Sequence, residues 1–99
     1  MAESIVKTSI RTDIKVPPKF CVIYINDNVT TMEFVIESMI SIFHLERSHA
    51  EELTDQIHEH GSAVVAILPY EIAEQKGIEA SILAKRNGFP LVIKLEPTE

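Results

Sequence analysis

The chain has 99 residues, 45% of them hydrophobic and 24% charged, with a formal net charge of −6, which is the balance of one globular domain near the size at which a single core becomes self-sufficient. Nine Lys and Arg scattered among 15 Asp and Glu exclude a surface built to track phosphates, so no nucleic acid is expected as a partner. Cys21 is the only cysteine, which excludes an internal disulfide and a thiolate metal site, and with no apolar leader and no run of about 20 apolar residues a cytoplasmic location away from membranes is expected.

Residues 1–16 mix Lys, Thr, Ser and Asp with isolated Ile and Val in no period, and Pro17-Pro18 then imposes extended backbone. A mobile N-terminal extension is expected there, followed by a folded domain over residues 17–99. Phe20 to Ile25 is β-branched and aromatic and predicts a strand, ended by the turn-forming run Asn26-Asp27-Asn28. Thr30-Thr31-Met32-Glu33 fits a capping box with Thr30 as the cap, and Met32, Val35, Ile36, Met39, Ile40 and Phe43 then share one helical stripe. Ser48-His49-Ala50-Glu51 reads as a second capping box. It opens a helix with Ala50, Leu53, Thr54, Ile57 and His58 inward and Gly61 at its C-terminal stop.

Ala63 to Leu68 is a continuous apolar run that predicts a buried strand stopped by Pro69. Tyr70 to Asn87 is helical in pattern, with Ala73, Gly77, Ala80 and Ala84 as a narrow stripe suited to close approach to a sheet. Gly88 suits its C-terminal stop, Pro90 prevents continuation, and Leu91 to Glu96 alternates like a strand with one wet face. The order β-α-α-β-α-β predicts an α+β sandwich, a three-stranded antiparallel sheet covered on one face by three helices.

Strand residues two apart share a face, so Tyr24 and Asn26 are expected together where the first helix begins. Packing that helix against the second would bring His58 towards Asn26. The Asn26 amide oxygen, the Asp27 carboxylate and a neutral imidazole would then form an acceptor set suited to an ammonium, above an apolar recess. Spacing alone also fits blander roles: a simple Asn-Asp-Asn turn, a satisfied His58 on an apolar face, and Met32 and Met39 as core filler. His58-Glu59-His60 does not make a metal site, because ligands two apart on a helix diverge and no third ligand completes a shell. No nucleophile with a base and no phosphate-binding glycine loop is present, so neither an enzyme nor a cofactor is expected.

The joint pattern Pro17-Pro18-Lys19-Phe20-x-Val22-Ile23-x-Ile25-Asn26-Asp27-Asn28-x-Thr30-x-Met32-Glu33-Phe34-Val35 resembles the ClpS family, adaptors of the N-end rule. Further in-register matches are Ile57-His58-x-x-Gly61, Tyr70 to Lys76, Ala84-x-x-Asn87-Gly88-x-Pro90-Leu91 and Leu95-Glu96, so that the resemblance spans residues 17–96. It implies a monomeric, non-enzymatic adaptor that captures polypeptides with a free, bulky apolar N-terminal residue and delivers them to the N-terminal domain of a ClpA- or ClpC-type AAA+ unfoldase. On the same ground Asn26, Asp27, Asn28, Thr30 and His58 fall at the amine-binding positions. Tyr24, Met32, Val35, Thr54, Ile57 and Leu91 fall at the side-chain pocket, and Glu71 and Lys76 at positions that dock on the unfoldase. The extension before Pro17 resembles the family's substrate-handover segment.

Four positions depart from the family pattern. Asn28 stands where Asp is usual, Tyr24 where an aliphatic residue is usual, Thr54 where Met is frequent, and Thr31 where Pro commonly begins the helix. From Tyr24 a narrowed pocket favouring Leu over Phe, Tyr or Trp is expected. From His58, capture is expected to weaken on acidification as an imidazolium forms. Two other readings of the residues remain: a general small protein-docking domain indifferent to peptide N-termini, and a small hydrolase using His58 and Asp27 as an acid–base pair.

Overall fold

The computed structural model describes residues 17–98, so the expected N-terminal extension lies outside the described residues. Strand β1 (Lys19–Ile25) leads to helices α1 (Met32–Phe43) and α2 (Arg47–His60), then strand β2 (Ser62–Pro69), helix α3 (Tyr70–Arg86) and strand β3 (Val92–Pro97). The three strands form one antiparallel sheet in the order β2-β1-β3. The fold is the expected α+β architecture, with boundaries within about two residues of those read from the pattern.

β1 is central, paired with β2 along one edge and with β3 along the other. Val22 and Tyr24 alternate inward and are wholly buried, while Cys21, Ile23 and Ile25 face the opposite side and are only half-buried. Val22 lies opposite Ala66 but Ile23 lies opposite Val64, so Val65 is an extra residue in β2 and the ladder bulges there. All three helices lie on the Val22 and Tyr24 side. On the other side Val64, Ile67 and Val92 remain exposed.

The helix starts differ from the capping boxes expected of them. Thr31, not Thr30, caps α1: its hydroxyl accepts from the Phe34 N–H at 3.1 Å. The Thr30 hydroxyl is already committed to Asp27 at 2.8 Å, which leaves the next threonine to do the capping. Glu33 turns to Arg47 (3.7 Å) instead of folding back on the turn. α2 starts at Arg47, ahead of Ser48, with Glu46 at its N-cap position and no side-chain cap bond. Arg47 explains that start, since its guanidinium also pairs with Glu37 on α1 and with Glu51 one turn on (3.7 Å), fastening the first turn of α2 to α1.

The stops follow the expected chemistry. Gly61 is left-handed (φ 95°) and its N–H closes on the Ile57 carbonyl at 2.9 Å. Gly88 (φ 78°) turns the chain out of α3, and Phe89 N–H returns to Ala84 O at 2.9 Å. α1 ends at His44, a non-glycine residue in the left-handed region (φ 59°).

Candidate functional site

The Asn26–Thr31 connection is ordered by one carboxylate. Asp27 Oδ1 accepts from the N–H groups of Val29 (2.8 Å) and Thr30 (2.7 Å), and Oδ2 accepts from the Thr30 hydroxyl (2.8 Å). Burial, the largest single influence, would raise the Asp27 pKa, but the bonds from Thr30 and Val29 together outweigh it and hold the carboxyl below its ordinary 3.8. Three bonds use most of the roughly four acceptor positions of a carboxylate. Thr30 donates its only hydroxyl hydrogen inward to Asp27, so its lone pairs remain as acceptors.

The turn is fastened at its start to the far end of α2, because Asn26 N–H donates to Gly61 O at 2.9 Å. Gly61 follows the C-terminal turn that carries His58, so the structure brings the end of β1 and that turn together. His58 itself is exposed, not on the inward face expected of it. Residues 54 and 58 differ by about 40° around a helix. That rotation leaves Ile57 buried and carries His58 to the rim. Asn26 and Asn28 are exposed as well.

The apolar set divides. Val35, Thr54, Ile57 and Leu91 keep only 6, 2, 4 and 7% of their surface, from α1, α2 and the residue preceding β3. Met32 is 44% exposed rather than part of the buried stripe. It is the first helical residue, and helical side chains lean towards the N-terminus, so it projects past the end of α1. Thr54 is not a polar wall, because its hydroxyl donates to Ala50 O at 2.7 Å, one turn back.

Tyr24 is placed differently from the expectation. It has no exposed surface, its ring packs edge-on to Phe43 with centroids 6.2 Å apart, and its hydroxyl meets Ser38 Oγ at 2.8 Å. Burial pushes its phenol up to about 12. Its bulk therefore lies under α1 rather than on a solvent-facing wall. Ser38 was not singled out from the sequence, although a small residue between Ile36 and Met39 marks a buried helix position facing something large.

The two positions expected to dock, Glu71 and Lys76, also differ from each other. Glu71 is exposed in the first turn of α3, where it borders a groove of about 360 Å³ with Pro17, Pro18, Tyr70 and Ile72. Lys76 instead reaches across to α1, where its Nζ donates to the Ile42 carbonyl at 2.9 Å. α1 has no basic residue in its own last turn, and the Lys76 ammonium supplies the missing positive charge at that end. Among the described residues no group of three or more His, Cys, Asp or Glu side chains could hold a metal ion, and no helix is long and apolar enough to cross a membrane.

A small α+β domain with one bare sheet face and a carboxylate-ordered turn at the head of its first helix is thus the class to which this chain belongs. Residues 15–94 match the profile of the family described as ATP-dependent Clp protease adaptor protein ClpS. The ClpS adapter of Acetivibrio thermocellus is 36% identical over 95 residues, covering 96% of each chain. That of Treponema denticola is 41% identical over 80 residues, covering 81% of this chain and 79% of its own. Among solved structures, ClpS2 of Agrobacterium tumefaciens bound to L-phenylalaninamide superposes with a TM-score of 0.80 at 35% identity, covering 83% of this chain and 99% of that one. The chain belongs to the ClpS family of Clp protease adaptors.

Proposed function

We propose that this chain captures polypeptides through a free, bulky apolar N-terminal residue and presents them to the N-terminal domain of a ClpA- or ClpC-type AAA+ unfoldase. It does so as a cytoplasmic monomer without enzymatic activity, from an adaptor domain over residues 17–99 with a mobile extension before it. The observation that carries the reading is the Asp27-ordered turn fastened by Asn26 to the α2 terminus. On this reading Asn26 and Thr30, the one remaining Asp27 position and the exposed His58 supply the acceptors for the bound amine. A primary ammonium has three donors and no acceptor, which is the complement of that set.

L-phenylalaninamide, held by the Agrobacterium relative, supports the same reading. It is an ammonium, a large apolar side chain and a neutral amide standing for the first peptide bond. In this chain the side chain would enter between Val35, Thr54, Ile57 and Leu91, with Met32 as a lip. Asn28 adds no charge, so the ammonium is met mainly by neutral acceptors. Glu71 is the exposed docking contact, and Lys76 contributes to docking only if its bond to Ile42 is exchanged.

Fluorescence anisotropy with a Leu-initiated peptide and its N-acetylated twin tests the reading. The free amine is expected to bind and the acetylated peptide to lose at least about tenfold in affinity, the scale of one charge-assisted hydrogen bond. Equal binding of the two would refute amine capture and favour a general docking domain. A His58→Ala variant is expected to bind the free amine more weakly, since it removes one acceptor and puts none in its place.

A further inference from the structure

Tyr24 on β1 and Ser38 on α1 are both fully buried, and their protons can be assigned from connectivity alone. Ser38 Oγ donates to the Val35 carbonyl at 2.8 Å, which uses its only hydrogen. The 2.8 Å contact between Tyr24 and Ser38 must therefore run from the phenol to Oγ. A directed chain results, Tyr24 O–H to Ser38 Oγ and Ser38 O–H to Val35 C=O. Every buried side-chain polar atom among the described residues has a partner, so neither hydroxyl has an alternative bond to satisfy.

The two ends of this chain belong to the two halves of the candidate site. Tyr24 is two residues before Asn26 on β1, the strand from which the amine-facing turn grows. Val35 is on the apolar wall carried by α1. Between them residues 26–31 form the only covalent link, and a helix can shift on a sheet without breaking such a link.

We propose that Tyr24 and Ser38 are positioning residues that hold α1 at a fixed offset from β1, and so set the distance between the amine clamp and the apolar wall that reads the first side chain. The inference rests on the amine-capture reading of this site and deepens it. An adaptor that selects by size needs that distance constant, because a side chain one methylene longer is told apart only if the wall does not yield. Buried, fully bonded hydroxyls suit the task, since slippage in either direction would strand a polar group in the core.

The test compares wild type, Tyr24→Phe and the Tyr24→Phe/Ser38→Ala double variant for binding to Leu- and Phe-initiated peptides and their acetylated twins. The single variant keeps the ring and the Ser38 bond to Val35 while cutting the tie to β1. The double variant removes both hydroxyls, so no buried polar group is left unpaired and the fold is retained. The readout is the ratio of the two affinities, which a loss of folded fraction scales equally and leaves unmoved. A change in that ratio of about threefold to tenfold, the worth of one ordinary hydrogen bond, is expected in both variants. An unchanged ratio in both would overturn the positioning role alone. Wild-type binding that ignores acetylation would overturn the amine-capture reading and this inference with it.

Discussion

Helices α1 and α3 rest on the same face of the same sheet and are held there by different physics. α1 is tied to the sheet by a directed bond, the Tyr24–Ser38 pair under its middle, while the Lys76 bond joins its end to α3. α3 meets the sheet by shape. Its buried stripe is Ala73, Gly77, Ala80 and Ala84, with no hydrogen bond to the sheet beneath, and at Gly77 the side chains of Ile93 and Leu95 come close. Dispersion between small side chains tolerates sliding along the seam, whereas a hydrogen bond fixes one position. The helix that borders the candidate site is the one with its position fixed.

The largest expected effect tests the burial of the phenol that makes the directed contact under α1. A phenol raised from 10.0 to about 12 ties about 3 kcal/mol of stability to its protonated form. That contribution is complete below the unfolded value of 10.0 and is lost as pH rises towards about 12. Urea midpoints are therefore expected to fall steeply across this alkaline range in wild type and much less in Tyr24→Phe. Parallel pH profiles would show that the phenol is not buried as described.

Lys76 gives a smaller effect of the same kind. Lys76→Met keeps the stem and removes the bond to Ile42, and is expected to destabilise the isolated chain by about 1 kcal/mol. Because no unfoldase is present in such a measurement, the loss would mark Lys76 as an internal brace, whatever else it does on docking. An unchanged midpoint would leave it free for a partner.

The smallest effect has the opposite sign and tests the shape side. A Cβ at Gly77 would meet Ile93 Cγ2 at 3.7 Å and Leu95 Cδ2 at 3.9 Å, which is ordinary van der Waals contact. Gly77→Ala is therefore expected to stabilise the chain by about 0.5 kcal/mol through helix propensity and the entropy of the unfolded state. A loss of stability would mean that the seam is tighter than these distances indicate.

The sequence carried the architecture because its periodicities are local. The Phe20–Ile25 run, the α1 stripe from Val35 onward and the small-residue stripe of α3 each appear where the pattern puts them, and Gly61 and Gly88 stop helices as their backbone freedom suggests. It was weaker wherever a side chain had two possible partners. Thr30 and Thr31 could both cap α1, and only the commitment of Thr30 to Asp27 decides between them. His58 sits at the margin of a stripe whose drift per turn the pattern does not resolve, and Tyr24 looked like a wall because alternation gives a face but not what lies above it. The Lys76 bond joins residues 34 apart in sequence and has no local signature at all. The family resemblance supplied expected roles for these positions, and only the folded structure shows that Tyr24 and Lys76 are engaged elsewhere.

The self-satisfied turn at Asp27 also bears on kinetics. Its backbone is already ordered by Val29 and Thr30, so a ligand arriving there meets no loop that must first be gathered, and the entropy of ordering belongs to folding rather than to encounter. Under the proposed amine capture, association at such a turn is expected to be limited by diffusion and orientation. Differences between ligands should then lie in how long each one stays.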